Sequence, residues 1–368
     1  MTFYRQKNFR RGLLFLITFM LIAGIALGSL TNKVLAQKES PWKIAIMIRG
    51  LYADFSAAMY NSAIDECQKH LVEIVGMNAR TDPVLQLDQI DTVIILGVDA
   101  VVLVAQDTKT IVPGIKKLNE QGIPVIAMDS PPSGGHCDLV VIFSCVEAGE
   151  KLGKNLVQFL EEKYGKPKGL ILEVLGNLAH QPTHTRSQGF HNIVDEYPDI
   201  EVIQKVANWH AEEAFAITTD ILTARGDELD AIYTLSDLHL PGIIPAMEKT
   251  GYMYPRGDPK HIAIASIDAE PCGLKAFREG KIDWIAVQPC IDYGRIAVQW
   301  AIRILEGEKV PPAGTVIEKP GEIVSPYRFE ETPVGKALYL STPIIPNDVG
   351  PDDPRVWGVV VEKMEQKR

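Results

Sequence analysis

Short apolar segments alternate with helix-like segments along most of this chain. Residues 100–104 (AVVLV) and 123–128 (IPVIAM) are entirely apolar, which is typical of strands covered on both faces. Between them, residues 109–121 have the length of a helix and are followed by Gly122, a residue that commonly ends helices. This alternation predicts an α/β fold with parallel sheets and helices on both faces.

The alternation restarts near residue 140, so the sequence predicts two α/β units of similar size. Residues 170–175 (LILEVL), 231–235 and 262–267 are apolar strands of the second unit. In the first unit, apolar residues at helical spacing predict one helix over residues 56–75. No Gly/Ser-rich linker separates the units, and the chain after residue 310 is rich in proline and irregular.

The first 36 residues form a basic, apolar leader. They contain five basic and no acidic residues, and residues 12–30 carry no charge. Together with Val34-Leu35-Ala36 as a cleavage site, this pattern predicts a signal peptide cleaved near Ala36 and a periplasmic or secreted protein. The alternative is an uncleaved membrane anchor, because 19 uncharged residues nearly span a bilayer.

The rest of the chain is acidic. The whole chain has 37 Lys and Arg against 47 Asp and Glu, and removing the five basic residues of the leader leaves 32 against 47. A nucleic-acid-binding protein needs a basic surface that releases counterions, so this class is excluded. The sequence also lacks the nucleophile-elbow, P-loop, dinucleotide-binding and zinc-protease motifs, which argues against an enzyme, and we expect no cofactor and no metal.

Polar and aromatic side chains follow the predicted strands. Ligands of parallel α/β sheets bind at the carboxyl ends of the strands. The residues found there are Asp129, Arg186 after a long loop, Trp209, Ser236 with Asp237, Asp268 and Gln288. Turn formation favours Gly, Asn and Asp, and it does not explain an Arg, a Trp and a Gln at such places. These residues are therefore candidates for a ligand site.

The same motifs resemble those of a known family. The segment VDAVVLVAQDTKTIVPGIKKLNEQGIPVIAMD is followed by TRSQGF, ANW, LSD, SID and VQP at compatible spacings. From residue 42 to about residue 330, the chain is similar to the sugar-binding proteins of ABC transporters that share the fold of the lactose-repressor effector domain, the ribose-binding proteins in particular. The resemblance implies the periplasmic binding protein-like I fold, in which two Rossmann-like (flavodoxin-like) lobes with parallel sheets are joined by a three-stranded hinge and close over a ligand.

The resemblance also implies the extent of each lobe. The N-terminal lobe would comprise residues 42–144 and 289–322, and the C-terminal lobe residues 145–288 and 323–340. Residues 341–368 would form a C-terminal tail, and its sequence STPIIPNDVGPDDPRVWG resembles the ending of some sugar-binding members.

The roles of the family's site residues carry over onto matching positions. By this resemblance, Asp129, Arg186, Asp268 and Gln288 would bind sugar hydroxyls. Carboxylates accept several hydrogen bonds, and a guanidinium donates in a fixed fork. Phe55 and Trp209 match the two aromatic rings that sandwich the apolar face of a sugar.

Several positions depart from the ribose-binding pattern. Ser130 and Ser236 stand where the family often has Arg and Asn, and Asp54 stands where ribose binders have a second aromatic residue. Asp237 would either bind ligand or steady the hinge. His210, next to Trp209, is a candidate for one more ligand contact. The departures at Asp54, Ser130 and Ser236 mean that the ribose pattern is not reproduced, so the sequence does not identify the sugar.

The chain has five cysteines, so at least one lacks a partner within the chain. Export permits disulfides. The pairs considered are Cys272 with Cys290 and Cys137 with Cys145, and the sequence leaves both pairings open.

The sequence therefore predicts a monomeric binding protein that captures a sugar or polyol and presents it to the permease of an ABC transporter. One alternative is a sensor of a sugar or of autoinducer-2 that acts on a kinase or chemoreceptor. A second is a carbohydrate-active enzyme that uses Asp129 and Asp268 as a glycosidase pair. The nearby Arg186 would keep both carboxylates ionised, whereas a general acid needs a raised pKa, so binding is the favoured interpretation.

Overall fold

The computed structural model describes residues 42–51, 54–178 and 180–365, and the leader with its proposed cleavage site lies outside them. These residues form two sheets with flanking helices, which confirms the predicted α/β class. None of the described helices is long and apolar enough to cross a membrane.

The first lobe is built on an eight-stranded sheet. Its strands are β1 (Lys43–Ile48), β2 (Glu73–Asn78), β3 (Ala100–Leu103), β4 (Val125–Met128), β5 (Cys137–Phe143), β11 (Val316–Ile317), β12 (Tyr327–Thr332) and β13 (Gly335–Leu340). They lie in the order β11-β12-β13-β5-β4-β3-β1-β2, and strands β1 to β5 are parallel. The helices of this lobe are α1 (Asp54–Lys69), α2 (Pro83–Ile95), α3 (Val112–Glu120) and α9 (Cys290–Leu305).

The second lobe is built on a six-stranded sheet. Its strands are β6 (Gly169–Leu175), β7 (Ile200–Val206), β8 (Leu229–Thr234), β9 (Ala263–Asp268), β10 (Trp284–Val287) and β14 (Ile344–Ile345). Their order is β14-β10-β9-β8-β6-β7, and strands β6 to β10 are parallel. The helices of this lobe are α4 (Cys145–Tyr164), α5 (Gln181–Val194), α6 (Ala211–Arg225), α7 (Leu240–Thr250), α8 (Pro271–Arg278) and α10 (Trp357–Glu365).

Burial explains the apolar segments from which the strands were predicted. Every residue of β8 and β9 is buried, because helices cover both faces of the central strands. Local signals set the helix starts: the Asp82 carboxylate caps α2 by accepting from the amides of Val84 and Leu85, and the Ser144 hydroxyl caps α4. These caps fix where each helix leaves the strand before it.

The expected lobe assignment of residues 323–340 is wrong. Strand β12 pairs with β13 in an antiparallel hairpin, and β13 lies parallel to β5 in the first sheet. The chain returns to the second lobe for the last time only after Leu340, where β14 pairs with β10. The hairpin covers the exposed edge of β5, a long-range pairing that local sequence patterns do not encode.

The predicted helix over residues 56–75 is also too long. Helix α1 ends at Lys69, and Leu71 has a φ of 58°, in the left-handed region that ends helices. Strand β2 then begins at Glu73. The apolar residues at the start of β2 happen to continue the helical spacing of α1, so the sequence pattern did not indicate a strand there.

All five cysteines are free thiols, so neither of the disulfides considered is formed. Cys137 begins β5 and Cys145 begins α4 beyond its far end, a separation of roughly 20 Å in extended chain. A disulfide needs Cα atoms within about 7 Å. Cys272 lies on α8 of the second lobe, whereas Cys290 begins α9 of the first.

Candidate ligand-binding cleft

Arg186 lies at the centre of a buried polar cluster. It projects from α5, and its Nη2 atom lies 2.9 Å from Gln288 Oε1 and 3.1 Å from Asp268 Oδ1. Its Nη1 atom donates to the main-chain carbonyl of Leu235. The guanidinium also lies 5.8 Å from the centre of the Phe143 ring, at the end of β5 in the other lobe. Arg186 therefore joins groups of the second lobe to the hinge and to the first lobe.

Asp268 is the second member of this cluster. It ends β9, is buried, and accepts a hydrogen bond from Ser236 Oγ at 2.5 Å in addition to the contact with Arg186. Burial raises the pKa of Asp268, and the effects of Arg186 and Ser236 oppose this increase. Both oxygens of the carboxylate thus face donors.

Asp129 is the corresponding carboxylate of the first lobe. Its Oδ2 atom lies 3.3 Å from Arg49 Nη1 and 3.1 Å from the hydroxyl of Ser130. Arg49 thereby places a guanidinium beside Asp129, where Ser130 replaces the Arg of the family pattern. Arg49 is not among the predicted site residues, although it directly follows β1 and so obeys the same strand-end rule as they do.

Gln288 connects the two halves of the site. Its carbonyl oxygen accepts from Arg186, and its amide nitrogen donates to Asp129 Oδ1 at 3.3 Å. Polar contacts therefore run continuously between the lobes. In order, the members of this chain are Ser236, Asp268, Arg186, Gln288, Asp129 and Arg49.

Unusual backbone conformations coincide with the predicted ligand residues. Asp129, Trp209 and Asp268 have φ angles of 61°, 67° and 126°, in the region that normally favours glycine. Such conformations cost of order 1–3 kcal/mol each and cluster at functional sites. Their occurrence at or just beyond the carboxyl ends of β4, β7 and β9 supports a site here.

Trp209 contacts two imidazole rings, those of His180 and His239. Its indole stacks on His239 at 5.7 Å with an interplanar angle of 7°, and its Nε1 donates to His180 Nδ1 at 2.9 Å. Burial lowers the pKa of His239 to about 4, so this ring is neutral at physiological pH. A Cβ atom added to Gly176 would lie 2.0 Å from the indole, so glycine at this position makes room for the ring.

Phe55 does not pair with Trp209 in the described contacts. It lies in the first turn of α1 and meets the edge of Trp357 at 5.8 Å with an interplanar angle of 81°. The sandwich of a sugar between Phe55 and Trp209 stays a prediction. Trp357, in the presumed tail, was missed because no local pattern links it to this site.

Three other predicted residues lie around the cluster. Asp237 is fully buried beneath it and accepts from Ser266 Oγ and from the main-chain amide of Glu270, both within the second lobe. His210 has a largely exposed side chain that pairs with Glu213 at 3.0 Å. Asp54 is exposed at the start of α1, close enough to raise the pKa of Glu270.

Glu270 is a further titratable group that sequence reasoning missed. It directly precedes α8, two residues after Asp268, without a capping hydrogen bond from its side chain. Burial, Asp268 and Asp54 together raise its pKa to about 7. Asp54 belongs to the first lobe, whereas Glu270 and Asp268 belong to the second. The described residues contain no group of three or more His, Cys, Asp or Glu side chains that could hold a metal ion.

Comparison with known proteins identifies the family. Residues 44–309 match the periplasmic binding protein domain, so this chain belongs to that family. The match confirms the resemblance stated from the motifs, and it confirms that this is a binding protein and not an enzyme.

The individual relatives have low sequence identity, but the similarity extends over most of the chain. The ribose import binding protein of Bacillus subtilis is 23% identical over 74% of this chain and 84% of its own length. A putative rhizopine-binding protein of Rhizobium meliloti is 24% identical over 71% of this chain and 84% of its own. A solute-binding protein structure from Bacillus halodurans with bound myo-inositol has a TM-score of 0.65 and 23% identity, and covers 90% of this chain and 100% of that one.

Proposed function

We propose that this protein binds a sugar or a cyclic polyol between its lobes and delivers it to the permease of an ABC transporter. The observation that carries the proposal is the continuous chain of polar contacts from Ser236 to Arg49, which draws on both lobes and on the hinge. It alternates carboxylates with guanidinium and amide groups, and such a row suits a ligand with several adjacent hydroxyls. The relatives named for ribose, rhizopine and myo-inositol support this ligand class.

The energetics are consistent with useful affinity. A hydrogen bond to a charged group contributes about 1.5–3 kcal/mol. A handful of them, less the cost of ordering, gives roughly the 8 kcal/mol of a micromolar complex. Selectivity follows because a ligand that lacks one hydroxyl leaves a buried charged group without a partner.

A ligand screen tests the proposal. The protein, exported by an expression host, would be screened by thermal shift against pentoses, hexoses, inositols and acyclic polyols, and hits would be measured by calorimetry. Arg186→Ala should abolish binding of the hit. Arg225→Ala is the matched control, because Arg225 also pairs with carboxylates in the second lobe but lies outside the cluster. If no compound raises the melting temperature, or Arg186→Ala binds like the wild type, the proposal fails.

Export and delivery have separate tests. The mass of the exported protein should correspond to a chain that begins after Ala36, whereas an anchored protein would keep the leader. Deletion of the gene should reduce uptake of the identified sugar. Unchanged uptake together with loss of a sugar-induced transcriptional response would instead favour the sensor function.

A further inference from the structure

The C-terminal segment, residues 341–365, is anchored on the second lobe. It begins with β14, which pairs with β10, and it ends with α10, which packs against α8. Arg278 of α8 binds Asp352 and Glu362 of the segment, each at 2.7 Å. Gly358 lies so close to the backbone of the second lobe that an added Cβ atom would be 2.3 Å from the Ala269 carbonyl oxygen. Removal of this segment would therefore uncover the strand end that carries Asp268.

The same segment also contacts the first lobe. The Trp357 ring packs on Phe55 of α1, and Arg355 Nη1 donates to the carbonyl of Gly321 at 2.8 Å, in the loop between β11 and β12. Trp357 is only 2% exposed, so both lobes together enclose it. The segment thus contacts both lobes beside the cleft, in addition to crossing once between their sheets.

Trp357 holds a ligand-binding residue in place. Its indole Nε1 donates to the main-chain carbonyl of Asp268 at 2.7 Å. Asp268 and Ala269 have φ angles of 126° and 62°, which need support from their surroundings. The hydrogen bond from Trp357 and the close packing of Gly358 supply this support, and they fix the direction in which the Asp268 carboxylate points.

We propose that residues 341–365 form a clasp that favours the closed arrangement of the lobes, with Trp357 as a positioning residue for Asp268 and Phe55. Opening about the hinge separates Phe55 from Trp357 and Gly321 from Arg355, because each pair joins different lobes. These contacts therefore stabilise the closed state before any ligand binds. The effect on affinity rests on the proposed function, whereas the effect on lobe opening does not.

Small-angle X-ray scattering without sugar tests the clasp directly. Trp357→Ala and Arg355→Ala should increase the radius of gyration relative to the wild type. Trp300→Ala is the matched control, because Trp300 is also buried but packs on Phe329 within the first lobe. Equal radii for wild type and both clasp variants would overturn the proposal, and so would an equal increase in the control.

Ligand binding then tests the positioning role. Trp357→Phe keeps a ring against Phe55 but removes the N–H group. It should leave the radius of gyration unchanged and weaken sugar binding about fivefold, the loss of one hydrogen bond. Trp357→Ala should weaken binding more than about tenfold, mainly through faster dissociation. Wild-type affinity in Trp357→Phe would refute the positioning role, and this variant carries the test if Trp357→Ala does not fold. A failed ligand screen would leave the scattering result standing, so the two proposals can fail separately.

Discussion

Removal of Arg186 should damage folding and ligand binding by different amounts, and the difference is measurable. Arg186 and Asp268, each taken as a whole residue, are 5% and 7% exposed, and their charged groups lie 3.1 Å apart. In Arg186→Met, the Asp268 carboxylate stays buried with only the Ser236 hydroxyl as a side-chain donor. Loss of one partner of a buried ion pair costs about 3–5 kcal/mol, because the other charge is left uncompensated. We therefore expect the free energy of unfolding to fall by about that amount.

Asp268→Asn is the second substitution, and together with Arg186→Met it forms a double-mutant cycle. It removes the buried negative charge but keeps an oxygen that accepts from Ser236, and Arg186 still has Gln288 and the Leu235 carbonyl as acceptors. The expected loss is about 1–3 kcal/mol. In the double variant Arg186→Met/Asp268→Asn, neither charge remains, so it should be more stable than Arg186→Met alone. A coupling energy of at least about 1 kcal/mol is expected for groups in direct contact.

Sugar binding should not recover in the double variant. Each lost hydrogen bond to a charged group weakens affinity by about 10- to 150-fold, and the double variant lacks both groups. Urea unfolding followed by circular dichroism measures stability, and calorimetry with the sugar from the ligand screen measures binding. Arg186→Met within about 1 kcal/mol of wild type would refute the buried-pair argument. A double variant that binds like the wild type would refute the assignment of the site.

Two further predictions follow from neighbouring positions. Gly176→Ala should displace the Trp209 indole, because the new Cβ atom would lie 2.0 Å from it, and calorimetry should detect sugar binding at least about tenfold weaker. Gly350→Ala is the matched control. Gly350 belongs to the C-terminal segment, but it is exposed and nothing lies within 4 Å of its Cβ position, so the contacts of that segment stay intact and the variant should bind like the wild type. Glu270→Gln should stabilise the protein at pH 8 but not at pH 4. The folded-state pKa of Glu270 is raised from 4.5 to about 7, so the stability that its neutral form contributes is complete below pH 4.5 and is lost as the pH rises through 7. Melting temperatures of both proteins from pH 4 to pH 8 check this, and a pH-independent difference would contradict it.

The sequence was informative about the site for a geometric reason. Parallel strands place their carboxyl ends at one edge of a sheet, so Asp268 and Ser236 could be expected to meet without any knowledge of side-chain contacts. The same reasoning located Asp129 and Gln288, each of which follows a strand. Arg186 lies within α5 beyond a long loop, so the position of the strand end indicated it only indirectly, and the motif TRSQGF supported its assignment. Its buried contacts explain why an Arg occupies that helix.

The remaining features depend on contacts that no local pattern encodes. Strand β13 pairs with β5, which lies nearly 200 residues earlier in the chain, as in the pair Leu338–Val141. Trp357 reaches the Asp268 carbonyl across a separation of 89 residues. The positive φ of Leu71, just beyond the end of α1, is likewise not signalled by the residue type, since leucine has no preference for that conformation.

The two lobes contribute unequal kinds of groups to the site, and this suggests an order of events. In the second lobe, the Arg186 and Asp268 side chains are 6% and 10% exposed and lie 3.1 Å apart. In the first lobe, the Arg49 and Asp129 side chains are 25% and 11% exposed and lie 3.3 Å apart. A rigid, buried pair loses little freedom when it binds a ligand, whereas a more exposed pair must be ordered. We therefore expect the sugar to meet the second lobe first, and the first lobe to complete the site as the hinge closes. Gln288 contacts Arg186 of the second lobe and Asp129 of the first. We therefore expect that sugar bound to the second lobe changes the position of Asp129 through the amide group of Gln288.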